Sequence, residues 1–238
     1  MDRYFALLAG KALFVVAALA LLSAPAWGVS LTPGNTVPLS GTTVIARPEL
    51  AGTVIADTLV PISFGDGFGL TASMVVQTRV VREDLAGTLD FYYRIHDFDP
   101  NSPVSITALR IGGFDDLATD VDFRTDSLGT VGPIVATRFG PGVNSQFIGF
   151  TFQPTPGGGS TLDPGQESRF MFVKTEATTF GLANADLLAS NLYLQNTVIS
   201  PLFLVYAPVG SPIPEPASLV LLGAGLATMV ARARSRRR

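Results

Sequence analysis

The chain contains no cysteine and only one histidine, His96. The absence of cysteine excludes disulfides, thiolate nucleophiles and cysteine-ligated zinc. A single histidine also leaves no imidazole pair for a zinc site, and no G-x-S-x-G elbow presents a nucleophilic serine. Cysteine and histidine chemistry therefore provide no catalytic motif. The lack of disulfides does not argue against export, because 238 residues suffice to fold around a hydrophobic core without them.

Basic residues are scarce in the central part of the chain. Residues 27–213 hold nine Lys and Arg against seventeen Asp and Glu, although the formal net charge of the whole chain is only −3. A nucleic-acid-binding protein needs a basic surface that displaces phosphate counterions. The glycine-rich residues 65–69 also lack the Lys-Ser/Thr that completes a phosphate-binding loop. We therefore expect no nucleic-acid partner and no nucleotide site.

Residues 1–26 have the three-part pattern of a secretory signal peptide. Arg3 and Lys11 precede an apolar stretch over residues 12–22, and Ala24 and Ala26 follow in an Ala-Pro-Ala sequence. The apolar stretch is short for a permanent transmembrane helix, which needs about 20 residues. We predict a signal helix that directs the chain to the secretory translocon and is removed by signal peptidase after Ala26.

The C-terminus combines a proline-rich linker, an apolar segment and a basic tail. The linker over residues 208–216 contains Pro214, Glu215 and Pro216, and the apolar segment covers residues 217–231. Arginines then fill most of residues 232–238: Arg232, Arg234, Arg236, Arg237 and Arg238. Arginine is costly to move across a membrane, so these residues stay cytoplasmic. We predict a transmembrane helix over residues 217–231, with the arginines as its stop signal and the body outside the cytoplasm.

The order of these elements closely resembles the PEP-CTERM sorting signal, which is also catalogued as a C-terminal motif of ice-binding proteins. The resemblance implies that Pro214, Glu215 and Pro216 are recognised by an exosortase, a transpeptidase-like membrane protease. It also implies a Gram-negative-type bacterium that makes exopolysaccharide and biofilm matrix. The protein would first be anchored in the inner membrane and then reach the cell envelope, cell surface or extracellular matrix. Segments of the body resemble other exported PEP-CTERM proteins, which adds no biochemical activity.

Residues 27–207 have the pattern of an all-β body. In residues 88–96 apolar side chains alternate with polar ones, which is the period of a half-buried strand. Further strands are predicted over residues 70–80, 148–152, 170–172 and 197–206, with Gly- and Pro-rich turns between them. Residues 180–190 are the one predicted helix in the body. The short connections favour antiparallel pairing, so we expect an antiparallel β-sandwich of jelly-roll or immunoglobulin-like type.

The polar face of the strand over residues 88–96 carries Asp90, Tyr92, Arg94 and His96. A half-buried strand turns its polar face to water, so we expect these side chains at the surface. Tyr92 is then the candidate aromatic for stacking on a sugar ring. The sequence TVIA also occurs twice, at residues 43–46 and 53–56, which indicates either a hairpin or a coincidence.

Asp97, Asp99 and Asn101 place three oxygen-bearing side chains at alternate positions, as at the start of a calcium loop. The EF-hand pattern is not completed, because Ser102 and Ala108 occupy its sixth and twelfth positions. Further ligands could come from a second acidic cluster: Asp115, Asp116, Asp120, Asp122 and Asp126. Alternatively, these residues cap turns and solubilise the surface, which is the reading we favour. No cofactor other than Ca²⁺ is suggested.

Three functions of different classes are compatible with this sequence. The first is a non-catalytic exported protein of the cell surface or extracellular matrix. The second is a polysaccharide-binding adhesion module, with or without Ca²⁺. The third is a glycan-acting hydrolase, which needs two carboxylates at a defined separation across a cleft. The sequence singles out no such pair among its seventeen central acidic residues, so we expect the first function and no enzyme.

Overall fold

The computed structural model describes residues 29–65, 69, 71–115, 117–140, 147–152, 161–193 and 196–209. Within these residues the chain forms two antiparallel sheets around a shared core, with one 3₁₀ turn at Pro48–Leu50 and no α-helix. The predicted all-β antiparallel sandwich is confirmed. The predicted signal helix and transmembrane helix lie outside the described residues. No helix in the described part is long and apolar enough to cross a membrane.

The first sheet has six strands in the order β1-β7-β10-β5-β4-β3. In that order, the strands are Val29–Ser30, Thr119–Phe123, Met171–Thr175, Leu89–His96, Thr71–Glu83 and Gly52–Gly65. β5 is therefore an inner strand, with β10 on one side and β4 on the other. The predicted strands over residues 70–80, 88–96 and 170–172 overlap β4, β5 and β10.

The second sheet has seven strands, of which six follow the order β12-β11-β6-β9-β8-β2 and the seventh, β13, also pairs with β11. The strands in chain order are β2 Thr36–Pro38, β6 Val104–Ile111, β8 Val135–Arg138, β9 Ile148–Thr151, β11 Phe180–Asn191, β12 Thr197–Ile199 and β13 Phe203–Pro208. The predicted strand over residues 148–152 corresponds to β9.

The core between the sheets follows the alternation that the sequence shows. The apolar face of β5 is completely buried: Leu89, Phe91, Tyr93 and Ile95. It packs in one cluster with side chains of the second sheet, including Ile106, Phe150 and Leu187. Each fully buried side chain of this size contributes about 1.5–3 kcal/mol relative to exposure, so this interface is the main favourable term in folding.

Residues 180–190 form part of strand β11, so the helix prediction is wrong. Ala185, Leu187 and Ala189 alternate into the core, which is the period of a strand. β11 also lies between two partners, with β6 on one side and β12 and β13 on the other. These long-range ladders override the weak helical preference of the segment, because every backbone group that they pair would otherwise need another partner.

The strand predicted over residues 197–206 is interrupted at Ser200, Pro201 and Leu202. Pro201 has no backbone N–H to donate to the ladder. The Ser200 side chain supplies a local bond instead, because its Oγ accepts from the Leu187 backbone N at 2.9 Å. The register along β11 shifts by one residue across this break, from Leu188 opposite Ile199 to Ala185 opposite Phe203. β12 and β13 thus run in the same direction along β11 and are separated by a bulge.

The repeated sequence TVIA does not form a hairpin with itself. Residues 43–46 lie in turns before the 3₁₀ segment, whereas residues 53–56 belong to β3. β3 pairs with β4. The recurrence is therefore a coincidence of sequence with no structural counterpart.

The backbone of Tyr206 in β13 connects the two sheets. Tyr93 of β5 donates its hydroxyl to the Tyr206 carbonyl at 2.6 Å, and the Tyr206 N–H donates to Thr78 Oγ1 of β4 at 3.0 Å. Tyr93 and Thr78 lie opposite each other in the first sheet and are almost fully buried. We name these three residues the cross-sheet tie. They satisfy, within the core, backbone groups of β13 that face away from β11.

Removing one side of the cross-sheet tie is expected to destabilise the fold. Thr78→Val keeps the side-chain shape but leaves the Tyr206 N–H without its acceptor, and Tyr93→Phe leaves the Tyr206 carbonyl without its donor. Each should lower the free energy of unfolding by about 1–3 kcal/mol. Urea unfolding measures this, with Thr53→Val on the exposed part of β3 as the control. Equal midpoints for Thr78→Val and Thr53→Val would contradict the role of the tie.

Candidate functional site: a buried ionic cluster and the sorting tail

Residues 43–51 cover part of the outer face of the first sheet, over β5, β7 and β10, and we call them the covering segment. Leu50 of this segment is buried in a second, smaller apolar cluster with Tyr92 and Phe172 of the sheet and with Phe170, which directly precedes β10. Arg47 is also buried, with only 2 % of its surface exposed. The covering segment therefore seals a face that would otherwise meet water.

The polar face of β5 is not at the surface, and that prediction is wrong. Asp90 is 0 %, Tyr92 4 % and Arg94 7 % exposed, and the His96 side chain is 12 % exposed. Tyr92 cannot serve as a stacking platform for sugar rings. Alternation shows that the two faces of a strand differ, but it does not show that the polar face is wet. Here the covering segment lies over Asp90 and Tyr92, and Glu167 and Phe170 lie against Arg94.

Arg47 fixes the covering segment to the sheet. Its Nη2 donates to Asp120 Oδ2 of β7 at 2.6 Å and its Nη1 to Asp120 Oδ1 at 3.3 Å, while Nε donates to Glu49 Oε1 at 2.8 Å. The guanidinium carbon also lies 5.4 Å from the centroid of the Phe172 ring. A planar guanidinium suits such bidentate pairing in a buried place. Arg47 thus ties two acidic groups and an aromatic ring together.

Asp90 lies in a row of charged residues that crosses three strands. It is opposite Lys174 on β10, and Lys174 is in turn opposite Asp120 on β7. Lys174 forms an ion pair with Glu83 of β4. Asp90 is different, because neither of its carboxyl oxygens has a hydrogen-bond partner among the described residues. We name Arg47, Glu83, Asp90, Asp120 and Lys174 the buried ionic cluster.

The environment of the cluster changes its protonation. Burial raises the pKa of Asp90 to about 8, with Arg47 opposing this shift and Asp120 adding to it. Asp90 is therefore mainly neutral at pH 7. Burial also raises the pKa of Asp120, although its bonds to Arg47 act in the opposite direction, and burial lowers the pKa of Lys174. The cluster avoids the cost of an unpaired buried charge by keeping Asp90 protonated.

A cavity of about 630 Å³ lies beside the cluster, with Glu83, Asp120, Lys174 and Glu176 in its lining. A neutral carboxyl next to ionised carboxylates is an arrangement that glycosidases use. Asp90 is fully buried, however, and does not line this cavity. A general acid must reach the bond that it protonates. The geometry therefore supports a structural role for Asp90 beneath the covering segment.

The structure places the three residues of the predicted calcium site in two separate groups. Asp99 Oδ1 accepts from the backbone N of Asn101 at 2.9 Å and from its side-chain Nδ2 at 3.3 Å, which is a local turn. Asp97 is instead grouped with His96 and Glu167, whose candidate ligand atoms all lie within 4.8 Å of one another. These groups already have partners: His96 Nδ1 is 3.0 Å from Asp97 Oδ2, and Glu167 pairs with Arg94. Calcium binding stays a prediction.

The second acidic cluster is mostly engaged in bonds of its own. Asp120 binds Arg47, Asp122 Oδ1 accepts from the backbone N of Gly41, and Asp126 binds Arg124. Asp115 is exposed, and Asp116 lies outside the described residues. Asp126 also accepts from the backbone N of Val44 at 2.8 Å. These contacts fit the reading in which aspartates fix loops, since three of them hold other chain segments in place.

Three members of the buried ionic cluster, Arg47, Glu83 and Lys174, belong to no motif of the sequence and were not predicted from it. A signal for Arg47 was present, because it is the only Lys or Arg between Lys11 and Arg79. A lone basic residue in a long stretch without others is a candidate for a specific pairing. No comparable signal marks Glu83 and Lys174, whose proximity depends on the placement of β4 and β10.

The C-terminal tail is matched independently of the described structure. Residues 212–238 match the family model of the PEP-CTERM protein-sorting motif, so the predicted resemblance is confirmed. The match begins four residues after β13 ends at Pro208. It includes Pro214, Glu215, Pro216 and the terminal arginines, which lie outside the described residues, as do Ala24 and Ala26. No curated protein and no solved structure matches the chain.

The fold and the tail together define an exported all-β protein that is targeted to an exosortase. The motif implies that the protein is first anchored in a membrane and then carried to the surface. The chain is thus a β-sandwich protein bearing a PEP-CTERM protein-sorting motif.

The raised pKa of Asp90 predicts a specific pH dependence of stability. An unfolded carboxyl of ordinary pKa 3.8 loses its proton near pH 4, whereas folded Asp90 keeps it up to about pH 8. The contribution of Asp90 to the free energy of unfolding is therefore most favourable below pH 4, decreases as the pH rises, and is constant above about pH 8.

Asp90→Asn cannot ionise and should lack this decrease. We expect the variant and the parent to be similar in stability at low pH, and the variant to be more stable above pH 8 by up to about 6 kcal/mol. Urea unfolding across this range measures the difference, and Asp84→Asn, at an exposed position, is the control. The explanation fails if the difference between Asp90→Asn and the parent does not change with pH.

Arg47→Met is expected to release the covering segment. It leaves Asp120 and Glu49 without their shared cation, so the free energy of unfolding should decrease by about 3 kcal/mol. Arg47→Lys keeps the charge but not the bidentate geometry, so its free energy of unfolding should lie between those of Arg47→Met and the parent. Arg82→Met, at an exposed position of β4, is the control. Hydrogen exchange should show lost protection in residues 43–51 for Arg47→Met and not for Arg82→Met. Unchanged protection of residues 43–51 in Arg47→Met would exclude the anchoring role.

Proposed function

We propose that this chain is a non-catalytic structural protein of the cell surface or extracellular matrix. The observation that carries the proposal is the PEP-CTERM motif at residues 212–238, directly after the last strand of the sandwich. A folded body followed by a removable membrane tail is suited to delivery outside the cell. The body would be the cargo, and the tail would determine where it is released.

The proposal assigns a role to each end of the chain. The secretory translocon moves the chain across the inner membrane, and signal peptidase cleaves after Ala26. The segment over residues 217–231 then holds the protein in the membrane, with the arginines in the cytoplasm. An exosortase recognises Pro214, Glu215 and Pro216 and removes the tail. The released body reaches the envelope, surface or matrix, where exopolysaccharide is its expected surrounding.

The organisation of the buried ionic cluster supports the non-catalytic part of the proposal. Asp90, whose pKa is the most strongly shifted in the cluster, is buried under the covering segment. Arg47 pairs with Asp120, and Lys174 pairs with Glu83. Perturbed groups of this kind also occur in structural ion-pair networks. The cluster explains how the sheet is covered without requiring a substrate.

The two alternative functions have a weaker basis than the sequence suggested. The polysaccharide-binding hypothesis loses Tyr92 as its candidate stacking residue, because that side chain is buried. The hydrolase hypothesis gains no accessible general acid from Asp90. Both remain hypotheses, and neither is favoured by the contacts of the described residues.

Sorting is tested by the mass of the mature protein in an exosortase-bearing host. We expect the parent chain to lose residues 1–26 and the arginine-rich end, and to be recovered outside the inner membrane. A variant with Pro214, Glu215 and Pro216 all changed to Ala should keep the tail and stay in the membrane fraction. Pro212→Ala, which leaves the Pro-Glu-Pro sequence intact, is the control. Recovery of the parent with residues 217–238 intact would reduce the tail to a permanent anchor.

A further inference from the structure

The outward face of the last strands exposes large apolar side chains. Leu182, Ile199 and Leu204 are each at least 50 % exposed. Asn184 lies opposite Leu204, and Leu188 lies opposite Ile199. Even-numbered residues of β11 from 182 to 188 point away from the core, because Ala185 and Leu187 between them are buried in it. The three exposed side chains therefore share one face, which we call the apolar face.

Exposure of large apolar side chains is concentrated in this part of the described chain. Four further examples lie in the segments that connect or follow β11, β12 and β13: Leu192, Tyr193, Leu202 and Val209. Seven of the thirteen large apolar side chains that are exposed among the described residues thus come from residues 182–209. Single exposed apolar residues need no explanation, but a contiguous group of them marks a surface that meets something other than water.

Most of the same part of the chain carries no charge, and its one charged residue, Asp186, is paired. Residues 187–214 are 28 consecutive positions without Lys, Arg, Asp, Glu or His. The nearest acidic residue, Asp186, is buried and paired with Arg110, whose Nη2 lies 2.6 Å from Asp186 Oδ2. A partner that covers the apolar face would therefore not have to remove water from an unpaired charge on β11, β12 or β13. An apolar phase is a better partner for such a surface than a charged polymer or a polar protein face.

The position of the tail indicates which apolar phase is available. β13 ends at Pro208, and the apolar segment of the tail begins at residue 217. Nine residues of extended chain span at most about 30 Å. When residues 217–231 lie in a bilayer, the end of β13 is consequently within about 30 Å of its surface. The apolar face lies on β13 itself and on β11 and β12, so it is close to the same bilayer.

We propose that the apolar face docks on the lipid bilayer that holds the sorting tail. The inference rests on the proposed function, because it requires the tail to be inserted. Leu182, Ile199 and Leu204 enter the interfacial region, and Tyr193 lies at the level of the headgroups, as aromatic side chains do at membrane interfaces. The attraction is apolar, so it is independent of anionic lipid and insensitive to salt.

The absence of cysteine makes the docking directly measurable. Leu204→Cys in the chain without its predicted signal peptide, residues 27–238, gives a single thiol for an environment-sensitive nitrobenzoxadiazole label. Leu128→Cys is the matched control, because Leu128 is a comparably exposed leucine on the side of the first sheet. Both chains are reconstituted in phosphatidylcholine vesicles, with and without brominated acyl chains. We expect a blue-shifted emission and several-fold stronger quenching at position 204 than at position 128.

A second substitution tests the shared face. In the Leu204→Cys chain, Leu182→Lys should abolish the blue shift, because it places a charge beside the label on the docking face. Leu128→Lys in the same chain should leave the shift unchanged. Added salt should not reduce the shift in either background, whereas a loss of signal with salt would point to an electrostatic contact and overturn the apolar docking.

Flotation of the vesicles separates the two levels of the hypothesis. If the labelled chain floats with the vesicles but position 204 reports water, docking is wrong while insertion of the tail stands. If the chain does not float, the proposed membrane-held stage fails and docking fails with it. If oxidation of the reconstituted Leu204→Cys chain gives a disulfide-linked dimer in high yield, the face meets a second copy, and lipid docking is overturned.

Discussion

Strand β5 is buried on both faces, and much of the molecule is arranged to meet that constraint. Its apolar face supplies the centre of the core between the sheets. Its other face carries Asp90 and Arg94, which are polar groups that need partners or neutrality once water is removed. The covering segment supplies the seal, Arg47 supplies the charge that holds it to Asp120, and the raised pKa of Asp90 removes the remaining buried charge.

The two outer faces of the sandwich are treated in opposite ways. The first sheet is covered by residues 43–51 at β5, β7 and β10, where ion pairs hold this segment and the polar side chains beneath it are enclosed. The apolar face of the second sheet is left open on β11, β12 and β13, and the one charged residue of these three strands, Asp186, is buried and paired with Arg110. This asymmetry coincides with the order of the chain, because the sorting tail follows β13 directly. Such a division suits a protein that has one side toward a membrane and the other side toward solvent.

The sequence was most informative where local pattern decides structure. Alternation in residues 88–96 identified β5 and its core-facing side chains, and the compact tail motif identified the sorting signal. The prediction failed where long-range contact decides. Nothing local in residues 43–51 shows that this segment will cover Tyr92, and the strand at 180–191 owes its form to partners far away in the chain. The pairing of Glu83 with Lys174 likewise depends on strand order.

The cross-sheet tie has a mechanical consequence for a protein held by its C-terminus. A pull on the tail that is directed along β13 enters the body at Pro208. β13 runs antiparallel to β11 over six residue pairs, and Tyr206 is bonded in addition to the first sheet through Tyr93 and Thr78. Load applied along the strand is therefore shared by the whole ladder in shear, and it is distributed to both sheets instead of peeling one strand from an edge. The last strand thus transmits force from the anchor to the whole domain.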